Sequence, residues 1–307
     1  MAERALKIPT ILITGFLGAG KTTLLNRLIE YYQSRRTVLL INEFGKIGID
    51  GELLISGNYE KIELNKGSLF CICVRTDFIS EVEKIATEMQ PELLIIEATG
   101  LADTSEMEKM LALPNIKDYI ELIACLCLVD SQNFLKIKDN LKAPASQIRS
   151  ADLVIINKID LVDKQHLEKV TRAVREISSS VPVIEMTYAD FPLEAFAEIH
   201  RPESGAGGAP GEGRPDPLTS VTLEEEGSFS QESWDEFRIN LDVEIMRAKG
   251  FVHIDDHCYF VEATMNDWRF QPVDDRRGDK NRLVLIGRGL DEDRIGELFR
   301  EELRLGN

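Results

Sequence analysis

Gly15-Phe16-Leu17-Gly18-Ala19-Gly20-Lys21-Thr22 fits the pattern G-x-x-x-x-G-K-[ST] of a phosphate-binding loop. An apolar run, residues 11–14, precedes this loop, and a run with helical spacing, residues 23–29, follows it. Strand, glycine loop and helix in this order let backbone N–H groups converge on phosphate oxygens at a helix N-terminus. The motif therefore predicts an α/β domain of the P-loop NTPase type.

The residue types of the loop indicate individual roles. Lys21 is in the position that reaches the β- and γ-phosphates, so it is a candidate catalytic residue that stabilises charge on the transferring group. The hydroxyl of Thr22 is the predicted Mg²⁺ ligand. The remaining predicted nucleotide contacts of the loop are Gly15, Gly18, Ala19, Gly20 and Thr23.

Composition narrows the classes of function. The 307 residues have a formal net charge of −17 and are 43% hydrophobic, which supports a packed core and argues against a basic surface for nucleic acid or anionic membrane. Residues 1–7 lack an apolar signal core, and the run 8–17 is too short to span a bilayer. The five cysteines are expected to be reduced. We therefore expect a cytoplasmic protein that binds neither nucleic acid nor membrane.

Strands and helices alternate through the first two thirds of the chain. Continuous apolar runs predict strands at 37–42, 92–97, 122–129 and 153–157, and helical spacing predicts helices at 76–89 and 164–177. Such strands, separated by helices, form a mostly parallel sheet covered on both faces. Ligands bind such sheets beyond the carboxyl ends of the strands.

A stretch rich in Gly and Pro divides the chain. Residues 201–217 lack periodicity, which predicts a flexible linker between a first domain, 1–200, and a second domain, 218–307. The second part is expected to contain strands at 219–223, 251–254, 258–262 and 282–287, a helix at 232–246 and a closing helix at 291–303. This pattern predicts a small C-terminal α+β domain.

Two polar segments begin at the last residue of predicted strands. Glu97, the second catalytic candidate, offers a carboxylate that orients Mg²⁺ or its water shell, and Gly100 can approach the γ-phosphate. Asn157-Lys158-Ile159-Asp160 has the chemistry of base selection. The Asp160 carboxylate can accept two N–H bonds from guanine, which adenine does not offer, while the stem of Lys158 packs on the base. These segments predict GTP rather than ATP as the ligand.

Together the motifs resemble the CobW-type GTPases, which are relatives of the urease- and hydrogenase-maturation GTPases. The resemblance also rests on Asn42-Glu43-Phe44-Gly45 and, in the second domain, on residues 247–251 and 282–290. It implies a GTPase that uses Mg²⁺ and delivers or inserts a metal, usually zinc or cobalt, under nucleotide control. Cobalamin biosynthesis gave the family its name, so the implied client is a metalloenzyme or a corrinoid protein.

The segment after the second predicted strand is where a nucleotide-sensing switch is expected. Glu43 and Asp50 are its candidate ligands for a metal ion or for Mg²⁺-bound water. Lys46 stands where the family usually carries a glutamate that helps at the metal. On composition alone, a solvated turn is the alternative.

Cys71 and Cys73 are the candidate ligands of the transported metal. The family motif is G-C-x-C-C, and this chain departs from it, because Phe70 replaces the glycine and Val74 replaces the third cysteine. Two thiolates still suit Zn²⁺ or Co²⁺, but a tetrahedral site needs further ligands, from Glu43, a backbone group, a substrate or a second chain. The alternative is two cysteines packed in a turn.

Two other groups of potential ligands have simpler interpretations. Cys125 and Cys127 lie on one face of a predicted strand, where packing in the core is the usual role of such thiols. His253, His257 and Cys258 cluster in the second domain and form a weaker metal candidate.

Three functions remain open on the sequence. A GTP-dependent metal-delivery protein is the main hypothesis. A GTP-regulated binding module without its own metal site is favoured by the missing third thiol, whereas a kinase with the same loop is disfavoured by the Asn157 motif. No arginine finger is recognisable, which predicts slow intrinsic turnover, and a homodimer is left open.

Overall fold

The computed structural model describes residues 7–42, 54–64, 72–190, 201, 218–255, 257–265, 267–273 and 280–305. These residues fall into two compact units, one formed by the described residues up to 201 and the other by those from 218 onward. The predicted linker, 201–217, lies outside the described residues except for Arg201.

A seven-stranded sheet forms the centre of the first unit. Its strands are β1 (Ile8–Gly15), β2 (Thr37–Asn42), β3 (Tyr59–Leu64), β4 (Leu93–Glu97), β5 (Ile120–Asp130), β6 (Leu153–Asn157) and β7 (Val183–Glu185). The spatial order is β3-β2-β4-β1-β5-β6-β7, and all paired strands run parallel. The predicted parallel α/β sheet is therefore confirmed.

Helices cover both faces of this sheet. They are α1 (Lys21–Tyr31), α2 (Ile72–Lys84), α3 (Thr104–Leu111), α4 (Phe134–Ile137), α5 (Ala143–Ser150) and α6 (Lys164–Ile177). A π-helical turn, Ile85–Met89, continues α2, and a 3₁₀ turn, Ile159–Leu161, follows β6. Within the described residues, no helix combines the length and apolar content needed to cross a membrane.

Side chains that alternate along each strand pack into two hydrophobic cores, one on each face of the sheet. In β4, Ile95 packs in a cluster with Leu24 and Leu28 of α1, whereas Ile96 packs in a cluster with Phe78 of α2. Successive strand residues point to opposite faces, so a continuous apolar run buries both sides. This pattern is typical of a sheet enclosed by helices rather than exposed on one face.

The strand order reverses at β1. From β1 the chain moves outward to β2 and β3, returns to β4 beside β1, and then crosses to β5 on the other side of β1. In open α/β sheets the ligand site lies beyond the carboxyl ends of the strands at such a switch point. The loop that follows β1 there is the predicted phosphate loop, residues 15–22.

Helix α2 and strand β3 of the first unit differ from the sequence-based prediction. The helix predicted from residue 76 begins at Ile72. Strand β3 was not predicted, because this edge strand alternates weakly and exposes Glu60 and Lys61. An edge strand needs less apolar surface than a central one, so its sequence signal is weak.

Arg201 is anchored to the first unit, although the sequence assigned it to a flexible linker. Its guanidinium bonds the Asp152 carboxylate through Nη1 at 2.8 Å and the Glu108 carboxylate through Nη2 at 2.8 Å. Burial raises the pKa of Glu108, and the bond from Arg201 opposes that shift. The Gly- and Pro-rich stretch therefore begins after a fixed residue.

The second unit is an antiparallel sheet with two helices. Its strands are β8 (Thr219–Glu226), β9 (Glu244–Ile254), β10 (His257–Thr264), β11 (Asp267–Pro272) and β12 (Lys280–Arg288), in the order β11-β10-β9-β12-β8. The helices are α7 (Gln231–Asn240) and α8 (Glu292–Leu305). An aromatic cluster of Phe229, Trp234, Phe237 and Phe299 forms the centre of the core. This confirms the predicted α+β domain.

The helix predicted at 232–246 was wrong in its second half. Helix α7 ends at Asn240, and β9 begins at Glu244. Ile245 still enters the same core, but from a strand that pairs with β12 through Gly287. Apolar residues four apart fit helical spacing in both cases, so periodicity could not detect the change of element.

Candidate functional site

The phosphate loop is built on glycines that the backbone requires. Gly15, Gly18 and Gly20 have φ angles of 135°, 76° and 103°, a region that residues with a side chain rarely adopt. A Cβ atom on Gly15 would lie 2.4 Å from the carbonyl oxygen of Leu128. The loop is thus a close-packed turn that leads directly into the N-terminus of α1, which suits a phosphate ligand.

The first turn of α1 carries the side chains predicted to contact the nucleotide. Lys21 is buried, and its Nζ donates to the carbonyl oxygens of Gly15 at 3.0 Å and Phe16 at 3.4 Å. Thr22 is half-buried and Thr23 is exposed. The first turn contains no acidic residue, so its N–H groups and dipole favour an anion. The donor set therefore fits a triphosphate with Mg²⁺.

Glu97 ends β4 beside the phosphate loop. It is buried and pairs in register with Ile13 of β1. The alternation of β4 places Glu97 on the face of Ile95, which packs on α1. The loop after Glu97 lies against the phosphate loop, because a Cβ atom on Gly100 would be 2.7 Å from the backbone nitrogen of Leu17.

Asn157 connects three parts of the site. Its Nδ2 donates to the carbonyl oxygen of Ala19 at 3.0 Å, and its Oδ1 accepts from the backbone nitrogen of Ala189 at 2.9 Å. Asn157 is 2% exposed. A Cβ atom on Gly20 would lie 2.4 Å from Asn157 Nδ2. The structure therefore brings the phosphate loop and the predicted base-recognition turn into direct contact.

Lys158 and Asp160 follow Asn157 in a tight turn. Lys158 adopts a left-handed conformation with φ 62°, and its Nζ bonds Asp130 Oδ2 at 2.9 Å. Asp160 lies in the 3₁₀ turn and is exposed. Its carboxylate is therefore accessible to a base, as guanine recognition requires.

The loop after β7 also belongs to this site and was not predicted from the sequence. Tyr188 and Ala189 both have left-handed φ angles, 51° and 50°. Arg27 of α1 holds this loop, because its Nε donates to the Tyr188 carbonyl oxygen at 2.9 Å and its Nη1 to Asp190 Oδ1 at 2.9 Å. No motif marks the loop, and its position after a strand at the carboxyl edge of the sheet was the only available signal.

Four residues were predicted from the sequence as ligands of a metal ion. Glu43, Asp50 and Cys71 lie outside the described residues, and Cys73 lies in the first turn of α2 with its side chain outside the described part. Among the residues that the structure does describe, no group of three or more His, Cys, Asp or Glu side chains could hold a metal ion. His253, His257 and Cys258, the weaker candidate cluster of the second unit, therefore do not form such a group.

Cys125 and Cys127 are core residues, as predicted. Both are completely buried in strand β5. Burial raises the pKa of Cys127 to about 12 and raises the pKa of Cys125 well above its ordinary value. Metal ligation requires thiolates, and these groups stay protonated at neutral pH, so they pack as small apolar side chains.

Replacing Gly20 with alanine should weaken both stability and nucleotide binding. The new Cβ would push Asn157 off the Ala19 carbonyl, and the φ angle of 103° adds strain. We expect a loss of about 2–3 kcal/mol in unfolding free energy. Urea denaturation and titration with labelled GDP measure the two effects. Gly289→Ala, whose φ is 67° with nothing within 4 Å, is the control and should keep nucleotide affinity. Unchanged GDP affinity in Gly20→Ala would contradict the role of the contact.

The position and geometry of this loop define the class of the protein. A glycine turn that leads from the central parallel strand into a helix, at the point where the strand order reverses, is the nucleotide site of P-loop NTPases. The contact between Asn157 and Ala19 brings the turn predicted to recognise the base beside that loop.

Comparison with known families identifies the group within that class. The family model described as "CobW/HypB/UreG, nucleotide-binding domain" matches residues 9–185, and "Cobalamin synthesis protein cobW C-terminal domain" matches residues 218–303. The chain belongs to the CobW/HypB/UreG family. Membership confirms the resemblance found in the motifs and a nucleotide-binding domain in the first unit.

Individual relatives carry names from metal homeostasis. "Zinc chaperone CobW" of a Sinorhizobium species is 33% identical over 58% of this chain and 58% of that protein. "Zinc-regulated GTPase metalloprotein activator 1" of Schizosaccharomyces pombe is 31% identical over 62% of this chain and 48% of that protein. The chain thus spans about half to three fifths of the length of these relatives.

Among solved structures, the chain is similar to the Zn(II)-bound YjiA GTPase from E. coli. The TM-score is 0.48 at 19% identity, over 97% of this chain and 99% of that chain.

Proposed function

We propose that this protein binds GTP with Mg²⁺, hydrolyses its β–γ bond, and uses the nucleotide state to control delivery of a metal ion. The main support for guanine-nucleotide binding is the hydrogen bond from Asn157 Nδ2 to the Ala19 carbonyl oxygen at 3.0 Å. This bond joins the phosphate loop to the turn of Lys158 and Asp160. A single ligand with phosphates at one end and guanine at the other would contact both the loop and the turn.

The phosphate end supplies the chemistry of hydrolysis. The backbone amides of the loop and the Lys21 ammonium stabilise negative charge on the transferring phosphoryl group, and water is the nucleophile. Thr22, together with Glu97 directly or through water, would hold Mg²⁺, which neutralises phosphate charge when bound. Gly100 lies against the loop, which supports the proposal that it would respond to the γ-phosphate. Glu97 and the Glu43 segment are our candidates for orienting the water.

The base end supplies selectivity. Asp160 would accept hydrogen bonds from N1 and the 2-amino group of guanine, while Asn157 holds the turn in place. The stem of Lys158 would pack on the base plane. Adenine lacks the paired donors, so ATP would leave a charged acceptor unsatisfied.

For the second half of the function, we propose Zn²⁺ or Co²⁺ as the cargo and a metalloprotein or corrinoid protein as the client. The names of the relatives support zinc handling. Cys71 and Cys73 are the proposed cargo ligands, with Glu43 as a third ligand from the switch segment. We further propose that residues 1–200 form the GTPase domain and that 201–217 tether it to a C-terminal domain, 218–307.

Metal affinity should depend on the bound nucleotide. A metal held by two thiolates and a switch carboxylate loses a ligand when the switch relaxes, which changes affinity about tenfold or more. Titration of Zn²⁺ and Co²⁺ into the GTP- and GDP-bound forms, under anaerobic conditions, measures this change. Cys71→Ser and Cys73→Ser should abolish tight binding.

Cys258→Ser is the matched control, since Cys258 is a buried thiol of the second unit. It should leave the metal affinity unchanged. Equal affinity in both nucleotide states, or tight binding after removal of both thiols, would refute nucleotide-controlled delivery at this site.

A second candidate function is a GTP-regulated protein-binding module without a metal site of its own. The replacement of the family's third cysteine by Val74 favours it. In that case neither nucleotide form binds Zn²⁺ or Co²⁺ tightly, while guanine-nucleotide binding persists. The same titration therefore separates the two functions.

A further inference from the structure

We propose that Asp130 is a positioning residue for guanine recognition, because it fixes Lys158 and the turn that carries Asp160. The inference rests on the proposed function, since it concerns the base end of the same site. Asp130 does not itself touch the nucleotide in this proposal. It acts through Lys158, from the end of the neighbouring strand β5.

Asp130 and the recognition turn leave the sheet side by side. Strands β5 and β6 are parallel neighbours, and Asp130 pairs in register with Asn157. The backbone nitrogen of Ser131 donates to the Asn157 carbonyl oxygen at 3.1 Å. The turn after β6 is therefore connected to the loop after β5 by backbone as well as side chains.

The carboxylate of Asp130 is buried and fully engaged. Its side chain is 2% exposed. Oδ2 accepts from Lys158 Nζ at 2.9 Å and from Asn133 Nδ2 at 3.2 Å, and Oδ1 accepts from the Gln132 backbone nitrogen at 2.9 Å. Moving the Lys158 ammonium away would leave this buried carboxylate without its cation, which is energetically costly. The ion pair therefore holds Lys158 Nζ in one place.

Lys158 needs such support, since its backbone is in a left-handed conformation. A non-glycine residue there stores strain that the surroundings must offset. Ser131 Oγ donates to the Lys158 carbonyl oxygen at 2.8 Å, and the Leu161 backbone nitrogen donates to the same oxygen at 3.1 Å. The ion pair fixes the side chain while these bonds fix the backbone.

The consequence for recognition follows from the short distance along the chain. Asp160 is two residues beyond Lys158, within the turn that the Lys158 carbonyl closes. Because the ammonium points back to Asp130, the alkyl stem is the part of Lys158 that is left to contact a base. Loosening Lys158 would therefore misplace both the packing surface and the Asp160 carboxylate.

Asp130→Asn is the direct test, with GDP and inosine diphosphate as probes. Inosine lacks the 2-amino group, so it makes only one of the two bonds expected at Asp160. We expect GDP affinity to fall about tenfold and the preference for GDP over inosine diphosphate to fall about threefold or more. The ratio of GTP to GDP affinity, set at the phosphate end, should stay unchanged.

Asp139→Asn is the matched control, because Asp139 pairs with Lys138 in the same region but is 72% exposed. It should alter neither affinity nor preference. Ser131→Ala removes only the bond to the Lys158 carbonyl, and it should shift the preference in the same direction by a smaller factor. If Asp130→Asn does not fold, Ser131→Ala provides the test in its place.

The outcomes separate this inference from the proposed function. Suppose that the unaltered protein prefers GDP to inosine diphosphate. If the Asp130→Asn variant, or Ser131→Ala in its place, keeps this preference in full, the positioning role is refuted and guanine binding stands. If the unaltered protein shows no preference for guanine over adenine nucleotides, the proposed function itself fails. Equal losses for GDP and inosine diphosphate would indicate a merely structural role and also overturn the inference.

Discussion

Replacing Lys21 with alanine should lower the rate of GTP hydrolysis by at least about hundredfold, because it removes a preorganised charge at the transferring phosphate. Lys21 is buried, and its Nζ bonds to the Gly15 and Phe16 carbonyls hold the ammonium at the loop. Affinity for GTP should fall with it. Affinity for GMP should change little, since GMP lacks the phosphates that Lys21 would contact. Single-turnover hydrolysis and nucleotide titrations measure these quantities.

Lys169→Ala provides the control for this result. Lys169 is an exposed lysine of α6, so its removal tests the loss of a positive charge elsewhere in the same unit. It should leave hydrolysis unchanged. Circular dichroism checks that Lys21→Ala keeps its fold. A Lys21→Ala protein that hydrolyses GTP at the original rate would remove the phosphate loop from the mechanism.

Asp160→Asn should exchange guanine selectivity for xanthine selectivity. An amide can accept at one position and donate at the other, which matches xanthine, where a carbonyl replaces the 2-amino group. We expect GDP affinity to fall about hundredfold, because two hydrogen bonds to a charged acceptor are weakened. Xanthosine diphosphate should bind the variant more tightly than GDP. Competition against labelled nucleotide measures both affinities.

Asp163→Asn is the control for the base switch. Asp163 is the N-cap of α6, and its Oδ1 accepts from the His166 backbone nitrogen at 2.7 Å. Asparagine caps helices about as well as aspartate, so stability and nucleotide preference should both persist. Equal affinity of the unaltered protein for ATP and GTP, or no gain for xanthosine diphosphate in Asp160→Asn, would exclude Asp160 as the base-selecting residue.

Contiguous motifs were the most predictable part of the site. The phosphate loop and the Asn157-Lys158-Ile159-Asp160 turn were found because the chemistry needs fixed residues at fixed local spacing. The loop held by Arg27 was missed, because Tyr188 and Ala189 contribute through backbone conformation rather than residue type. Asp130 was also missed, since its partner Lys158 is 28 residues away.

Elements with strong periodicity were predicted better than those without. The strand at 153–157 and the helix at 164–177 are confirmed with their predicted bounds. Edge strand β3 and the start of β9 were missed, because their residues satisfy weak or mixed periodicities. There the choice between helix and strand depends on pairing with distant strands, such as β9 with β12.

By itself, the sequence determined the class of this protein. The order of apolar strands, glycine loop and helices sufficed for a parallel α/β sheet with a phosphate loop, since each signal is local. Only the tertiary structure decided which distant side chains meet. The bond from Asn157 to Ala19 spans 138 residues, and that from Arg27 to Asp190 spans 163. Such contacts depend on strand order and register, which arise when the whole sheet assembles and which no local pattern encodes.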